Sequence, residues 1–146
     1  MTVKLARTGE DLRRAFPAVK ELRPFLDEST YMTMVKRMIA GGYHLAMLEL
    51  EDGSVPCIGG FRIDEMFHRG KGVYVDDLST LEAHRSKGYG AKVLDFIIAY
   101  CKNEGCECIH LDSGVQRFAA HRFYLRYGFD ITSHHFAMKF QAADVK

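Results

Sequence analysis

Gly88 and Gly90 fall at the junction of two patterns that cannot belong to one element, and this junction limits what the chain can become. Before it, Val73-Tyr74-Val75-Asp76-Asp77-Leu78 reads as an apolar strand; after it, Leu94, Ile97, Ile98 and Cys101 recur at helical spacing. The connecting segment is Arg85-Ser86-Lys87-Gly88-Tyr89-Gly90-Ala91. Its two glycines lack Cβ atoms where the backbone must turn tightly and come close to another group. The helix that follows offers unpaired N–H groups and a positive dipole end. Such a turn is suited to holding phosphate. Arg85 and Lys87 add positive charge, and an Arg grips phosphate oxygens in a bidentate way.

A basic turn with two glycines also occurs for structural reasons alone, and two known nucleotide patterns do not fit it. The Walker pattern needs Lys-Ser/Thr after its last glycine, and Ala91-Lys92 does not supply it. The dinucleotide pattern needs a third glycine where Val93 stands. A pyrophosphate cradle of another kind remains. Further along, Ala120-His121-Arg122-Phe123-Tyr124-Leu125-Arg126-Tyr127-Gly128-Phe129 forms a second motif. In order and spacing the two resemble the GNAT superfamily of acetyl-CoA-dependent N-acyltransferases. The first matches its Arg/Gln-x-x-Gly-x-Gly/Ala signature, and the second its Ala-x-x-aromatic-Tyr-x-x-x-Gly-Phe stretch. The resemblance covers the C-terminal half well, whereas the N-terminal third matches only in its pattern of elements.

Several expectations come with that resemblance. The fold is α+β: a mixed, mostly antiparallel sheet with one parallel, splayed strand pair and flanking helices. The reaction moves acetyl from acetyl-CoA directly to a primary amine of a small molecule or peptide. Backbone groups around Leu78, Ser79 and Thr80 pair with the pantetheine arm, and the Leu78 N–H is the oxyanion donor. Arg85, Ser86, Lys87, Gly88, Tyr89, Gly90 and Ala91 hold the pyrophosphate. Tyr124 stands where the family places the tyrosine that protonates the departing thiolate; packing alone is the competing account of this aromatic. Arg117 occupies a position where relatives often carry an Asn that contacts the cofactor, a departure that leaves its contact open. Dimerisation is common in the family. A catalytically silent acyl-CoA-binding sensor on the same scaffold is the alternative function.

An amine with a pKa near ~10.4 is protonated at neutral pH, so transfer needs a proton acceptor. Asp76 and Asp77 sit together on the cofactor strand, and strict alternation sends them to opposite faces. Asp76 shares parity with Tyr74 and Leu78, as family bases on this strand do, which makes it the candidate base. A salt bridge at Asp76 and a relay of water molecules are the competing accounts. Asp64 and Glu65 are candidates for attracting a cationic amine. His134-His135 looks like half of a metal site, but neighbours on a strand face apart, and a rim position fits better. His84 lies just before the cradle.

At 146 residues the chain fits one domain, 1–146, and its 47% apolar and 27% charged composition is that of a globular protein. With 20 basic and 19 acidic residues, it lacks the excess charge of a general nucleic-acid binder. No apolar run approaches the ~20 residues of a bilayer span, and the N-terminus has no secretion-signal core. A cytoplasmic protein is expected. Cys101, Cys106, Cys108 and His110 fit no zinc-ligand spacing, so buried free thiols and no metal are expected of the four cysteines, Cys57 included.

Along the chain, a short strand is expected at Lys4 to Arg7, then a helix opened by a capping box in Thr8-Gly9-Glu10-Asp11. Pro17 weakens that helix and Arg23-Pro24 ends it. A second helix runs from about Ser29 to Ala40, with Met32, Val35 and Ile39 inward. Strands follow at Tyr43 to Leu50 and Val55 to Ile63, with Gly59-Gly60 marking a bulge or close approach. After the cradle helix, Gly105 is the stop signal, Cys106 to Asp112 a strand, and Ile131 to Phe140 a final strand or two.

Overall fold

In the computed structural model, which describes all residues from Met1 to Lys146, Thr8 caps the first helix as its sequence pattern requires. Its hydroxyl accepts from the Asp11 N–H at 3.1 Å, and the Asp11 carboxylate accepts from the Thr8 N–H at 3.3 Å. Helix α1 (Gly9–Leu22) runs through Pro17 without a break. Pro17 lies on the exposed side, while Leu12, Ala15, Ala18 and Val19 are buried. Helix α2 (Glu28–Ala40) is capped by Asp27 and buries Tyr31 and Val35; Ile39, expected inward, is 37% exposed.

Two compact units are present, Met1–Leu111 and Asp112–Lys146. The first holds one sheet in the order β1-β2-β3-β4-β5: β1 (Thr2–Leu5), β2 (Tyr43–Glu49), β3 (Cys57–Met66), β4 (Gly70–Thr80) and β5 (Cys108–Leu111). The first three pairings are antiparallel, and β4 with β5 is parallel. Parallel pairing requires a crossover, and helix α3 (Tyr89–Asn103) supplies it. No helix is long and apolar enough to cross a membrane.

Helix α3 ends as Gly105 demands. Gly105 takes φ +82°, its N–H donates to Lys102 O at 3.0 Å, and the Cys106 N–H donates to Cys101 O at 2.9 Å. This is a Schellman closure. It occupies Cys106, so β5 begins at Cys108. All four cysteines are free; Cys57 and Cys101 are buried, while Cys106 and Cys108 are half-buried.

Both members of the Gly59-Gly60 pair are tight contacts. A Cβ on Gly59 would meet Val93 Cγ1 at 2.7 Å and Ile97 Cδ1 at 2.8 Å, so the glycine lets α3 lie flat on the sheet. A Cβ on Gly60 would overlap the Tyr43 phenol from the opposite face. Gly60→Ala is therefore expected to displace the Tyr43 ring and destabilise the fold by about 1–3 kcal/mol, the usual range for overpacking. Urea denaturation measures it, and an unchanged midpoint would show that the ring has room to yield.

The second unit carries α4 (Phe118–Tyr127) and a 3-10 turn at Ala142–Asp144. The strand expected over Ile131 to Phe140 is absent: these residues form no ladder, and Ile131, Phe136, Met138 and Phe140 are 69–91% exposed.

Candidate active site

The bulge hinted at by the glycines lies on the facing strand. Gly60 pairs with Asp77 and Phe61 with Val75, so Asp76 is the extra residue. A bulge breaks alternation, and this overturns the expectation that Asp76 and Asp77 face apart. Both carboxylates enter one polar cluster. Arg23, the C-cap of α1, donates from Nε and Nη2 to Asp77 Oδ1 at 3.1 and 3.0 Å, and from Nη2 to Asp76 O at 3.3 Å. The Tyr43 hydroxyl donates to Asp77 Oδ2 at 2.9 Å. Arg62 Nε donates to Asp76 Oδ2 at 3.0 Å, and its guanidinium carbon lies 5.3 Å from the centre of the Tyr43 ring.

The two carboxylates differ in what they lack. Asp77 has donors on both oxygens, whereas Asp76 Oδ1 is buried and has no partner. Burial raises the Asp76 pKa above the usual carboxylate value; Arg62 opposes this through its hydrogen bond and charge, and Asp77 and Asp64 add to the rise. The Tyr43 phenol is pushed well up by burial and by Asp77, so it serves as a neutral donor. Asp64 and Glu65 lie exposed at the end of β3.

Beyond the bulge, β4 keeps its β3 partners while its other side runs out of sheet. Leu78 pairs with Gly59, Ser79 with Ile58 and Thr80 with Cys57, but pairing with β5 stops at Val75 and Leu111. The Asp76–Thr80 edge thus has no strand alongside it in the sheet. Ser79 is 7% exposed, and the Thr80 hydroxyl lies 3.2 Å from Cys57 Sγ.

After β4, a 3-10 turn at Glu82–His84 leads into the cradle. Ser86 takes φ +62°, the one non-glycine residue with positive φ, and Gly88 takes φ +76° as the N-cap of α3. No side chain caps this helix. The N–H groups of Tyr89, Gly90 and Ala91 in its first turn therefore have no acceptor from the helix itself. Open backbone donors at the positive end of a helix fit a pyrophosphate. The cradle's cations are arranged unequally: Lys87 is exposed, while Arg85 bonds Glu21 of α1 at 3.0 Å and reaches Thr80 O at 3.4 Å. His84 stacks on Tyr89 with centroids 6.3 Å apart, its Nδ1 buried without a partner.

In the second unit, Tyr124 packs against Phe123 and Phe129, with centroids 5.5 and 5.6 Å away. Burial raises its pKa, and the charge of Arg117, the N-cap of α4, pulls the other way. His134 and His135 are exposed, with His135 Nδ1 3.4 Å from Asp112 Oδ1. Nothing in the sequence pattern marks Arg23, Tyr43 or Arg62 as partners of the two carboxylates. The Gly59-Gly60 pair was the one local signal, since it marks where Tyr43 and the bulge crowd the sheet.

A mixed sheet with one parallel pair crossed by α3 is the fold expected of an acyltransferase of the GNAT type. The chain belongs to the Acetyltransferase (GNAT) family, whose model matches residues 6–129. It is 30% identical over 135 residues to the uncharacterized N-acetyltransferase YhdJ of Bacillus subtilis (strain 168), covering 92% of this chain and 95% of that protein. It is 27% identical over 119 residues to the glucosamine 6-phosphate N-acetyltransferase of Arabidopsis thaliana, covering 80% of this chain and 68% of that one. Its fold matches that of AAC(6')-Iy, solved with a bisubstrate analogue, CoA-S-monomethyl-acetylneamine, with a TM-score of 0.83 at 13% identity over 97% and 98% of the two chains. The protein is an acetyl-CoA-dependent N-acetyltransferase.

Proposed function

We propose that this enzyme, working as one domain over 1–146, acetylates a primary amine of a small molecule or peptide by direct transfer, with Asp76 taking the amine proton. The observation that carries this reading is the Asp76 carboxylate, with one oxygen held by Arg62 and the other buried and unpartnered, on the strand that leads into the uncapped helix. Acetyl-CoA supplies an acyl carbon activated as a thioester. The cradle residues Arg85 to Ala91 bind the pyrophosphate through backbone N–H groups, with Lys87 adding charge. Leu78, Ser79 and Thr80 offer their backbone along the free edge of β4, and the Leu78 N–H stabilises the developing oxyanion. Tyr124 donates its phenolic proton to the departing thiolate, a role supported by its place in the family motif; Arg117 helps bind the cofactor. Reduced cysteines fit a cytoplasmic setting.

The names of two relatives, an aminosugar-phosphate acetyltransferase and an enzyme seen with an acetylneamine analogue, place amino sugars first in a test panel. Polyamines, amino acids and peptides complete it. The assay follows CoA release together with the mass of the N-acetylated product. CoA release without acetylated product across the panel would overturn transfer to an amine. With the best acceptor, Asp76→Asn is expected to lower kcat/KM by on the order of 10²-fold below the acceptor's pKa. The loss should shrink at high pH, where the amine is already neutral. A pH-rate profile identical to wild type would favour proton transfer through water.

A further inference from the structure

We infer that Arg62 is a positioning residue for the acetyl transfer, holding Asp76 ionised and its free oxygen in place. The inference rests on the reading that Asp76 takes the amine proton. The two adjacent carboxylates contrast in their partners. Asp77 is saturated by Arg23 on one oxygen and Tyr43 on the other, as a carboxylate that only ties elements together should be. Asp76 receives a single side-chain donor, Arg62 Nε, on Oδ2, and its buried Oδ1 is left open. A bracing salt bridge gains nothing from a buried acceptor without a donor, which costs about 1–3 kcal/mol. A proton acceptor needs an oxygen that no protein donor occupies.

Arg62 is itself fixed. Its guanidinium lies over the Tyr43 ring, Tyr43 is buried at 4% exposure, and the Tyr43 hydroxyl is tied through Asp77 to Arg23 at the end of α1. The chain of contacts from Arg23 to Asp77, Tyr43, Arg62 and Asp76 is continuous and draws on α1, β2, β3 and β4. The charges and titratable groups facing Asp76 are Arg62 and Asp64 from β3, Asp77 from β4, Arg23 at its carbonyl from α1 and Tyr43 from β2. Of these, Arg62 is the one that meets its carboxylate with positive charge. Without it, burial and two neighbouring carboxylates act unopposed and protonate Asp76 at higher pH.

The sign follows. A base works when deprotonated, so raising its pKa moves the acid limb of the pH-rate profile upward. Arg62→Gln is expected to shift that limb by about one pH unit or more, the scale on which an opposite charge moves a carboxylate. Activity should recover at high pH and acetyl-CoA affinity stay near wild type. Arg62→Lys, which keeps the charge without the fixed fork, should shift the limb less. Carbon-13 NMR titration of the Asp76 carboxyl in wild type and both variants reads the same effect without turnover. If Asp76→Asn abolishes the acid limb while Arg62→Gln leaves the limb and the Asp76 titration in place, Arg62 is only a brace. If the titration moves and the limb does not, the base assignment fails, and the positioning role with it.

Discussion

Tyr124→Phe is expected to lower kcat by about 10²–10⁴-fold, the usual range for a general acid, while thermal stability and acetyl-CoA binding stay close to wild type. The substitution removes one oxygen and keeps the ring. Contacts with Phe123 and Phe129, at centroid separations of 5.5 and 5.6 Å, are made by ring atoms that phenylalanine retains. Burial raises the phenol's pKa, so the side chain is neutral and remains a donor across the physiological range. A neutral donor suits a departing thiolate, since it gives up a proton without presenting a charge that must be desolvated beforehand. Arg117 moderates the rise, making the proton easier to release than burial alone would allow. Single-turnover kinetics separate the chemical step from product release. Wild-type turnover in the variant, under conditions where chemistry limits, would leave Tyr124 as a packing residue.

The fold was most readable where structure depends on neighbours in the chain. Thr8 and Asp11 cap α1 reciprocally because the capping box needs only residues one turn apart, and α3 ends where the Gly105 and Cys106 N–H groups donate to Lys102 and Cys101 close behind them. Pro17 misled in the other direction. Its missing N–H counts against a helix, yet α1 continues because its buried stripe of Leu12, Ala15, Ala18 and Val19 packs on the opposite side. Ile131 to Phe140 shows the limit of pattern. Phe136, Met138 and Phe140 alternate as in a strand, but a strand exists only through a partner distant in sequence, and no ladder forms here.

The candidate site divides along the same line. The candidate cradle is a contiguous motif, whereas the cluster around Asp76 is not. Its members Arg23, Tyr43 and Arg62 come from three other elements, and Arg23 lies 54 positions from Asp77. Alternation placed Asp76 correctly on the side of Tyr74, the partner of Arg62, but put Leu78 there as well. One extra residue at the bulge shifts Leu78 across the sheet to face Gly59 and α3. The pleat carries no local mark of such a shift beyond the glycines on the neighbouring strand.

Gly88→Val is expected to abolish CoA binding while the domain stays folded. Two physical effects act at that position. Gly88 has φ +76°, a conformation that costs a branched residue roughly 1–3 kcal/mol. That cost is below the stability of a typical domain, so the protein folds with a reduced melting temperature. The second effect is selective for the ligand. A Cβ on Gly88 meets no protein atom within 4 Å, so the isopropyl group fills open space in front of the uncapped first turn of α3. Under the proposed role of the cradle, a pyrophosphate needs that space to reach the N–H groups of Tyr89, Gly90 and Ala91. Gly90→Val, within that first turn but without the left-handed backbone of Gly88, is also expected to weaken CoA binding. Asn tolerates the left-handed region better than Val does, so Gly88→Asn should regain most of the lost stability. It still places a side chain in the cradle and should bind CoA poorly. The measurement is the CoA-dependent rise in melting temperature, which for wild type at a hundred times Kd corresponds to about 2.7 kcal/mol. A folded Gly88→Val protein with the full wild-type shift would take the glycine turn out of the cofactor site and leave it as a structural connection between β4 and α3.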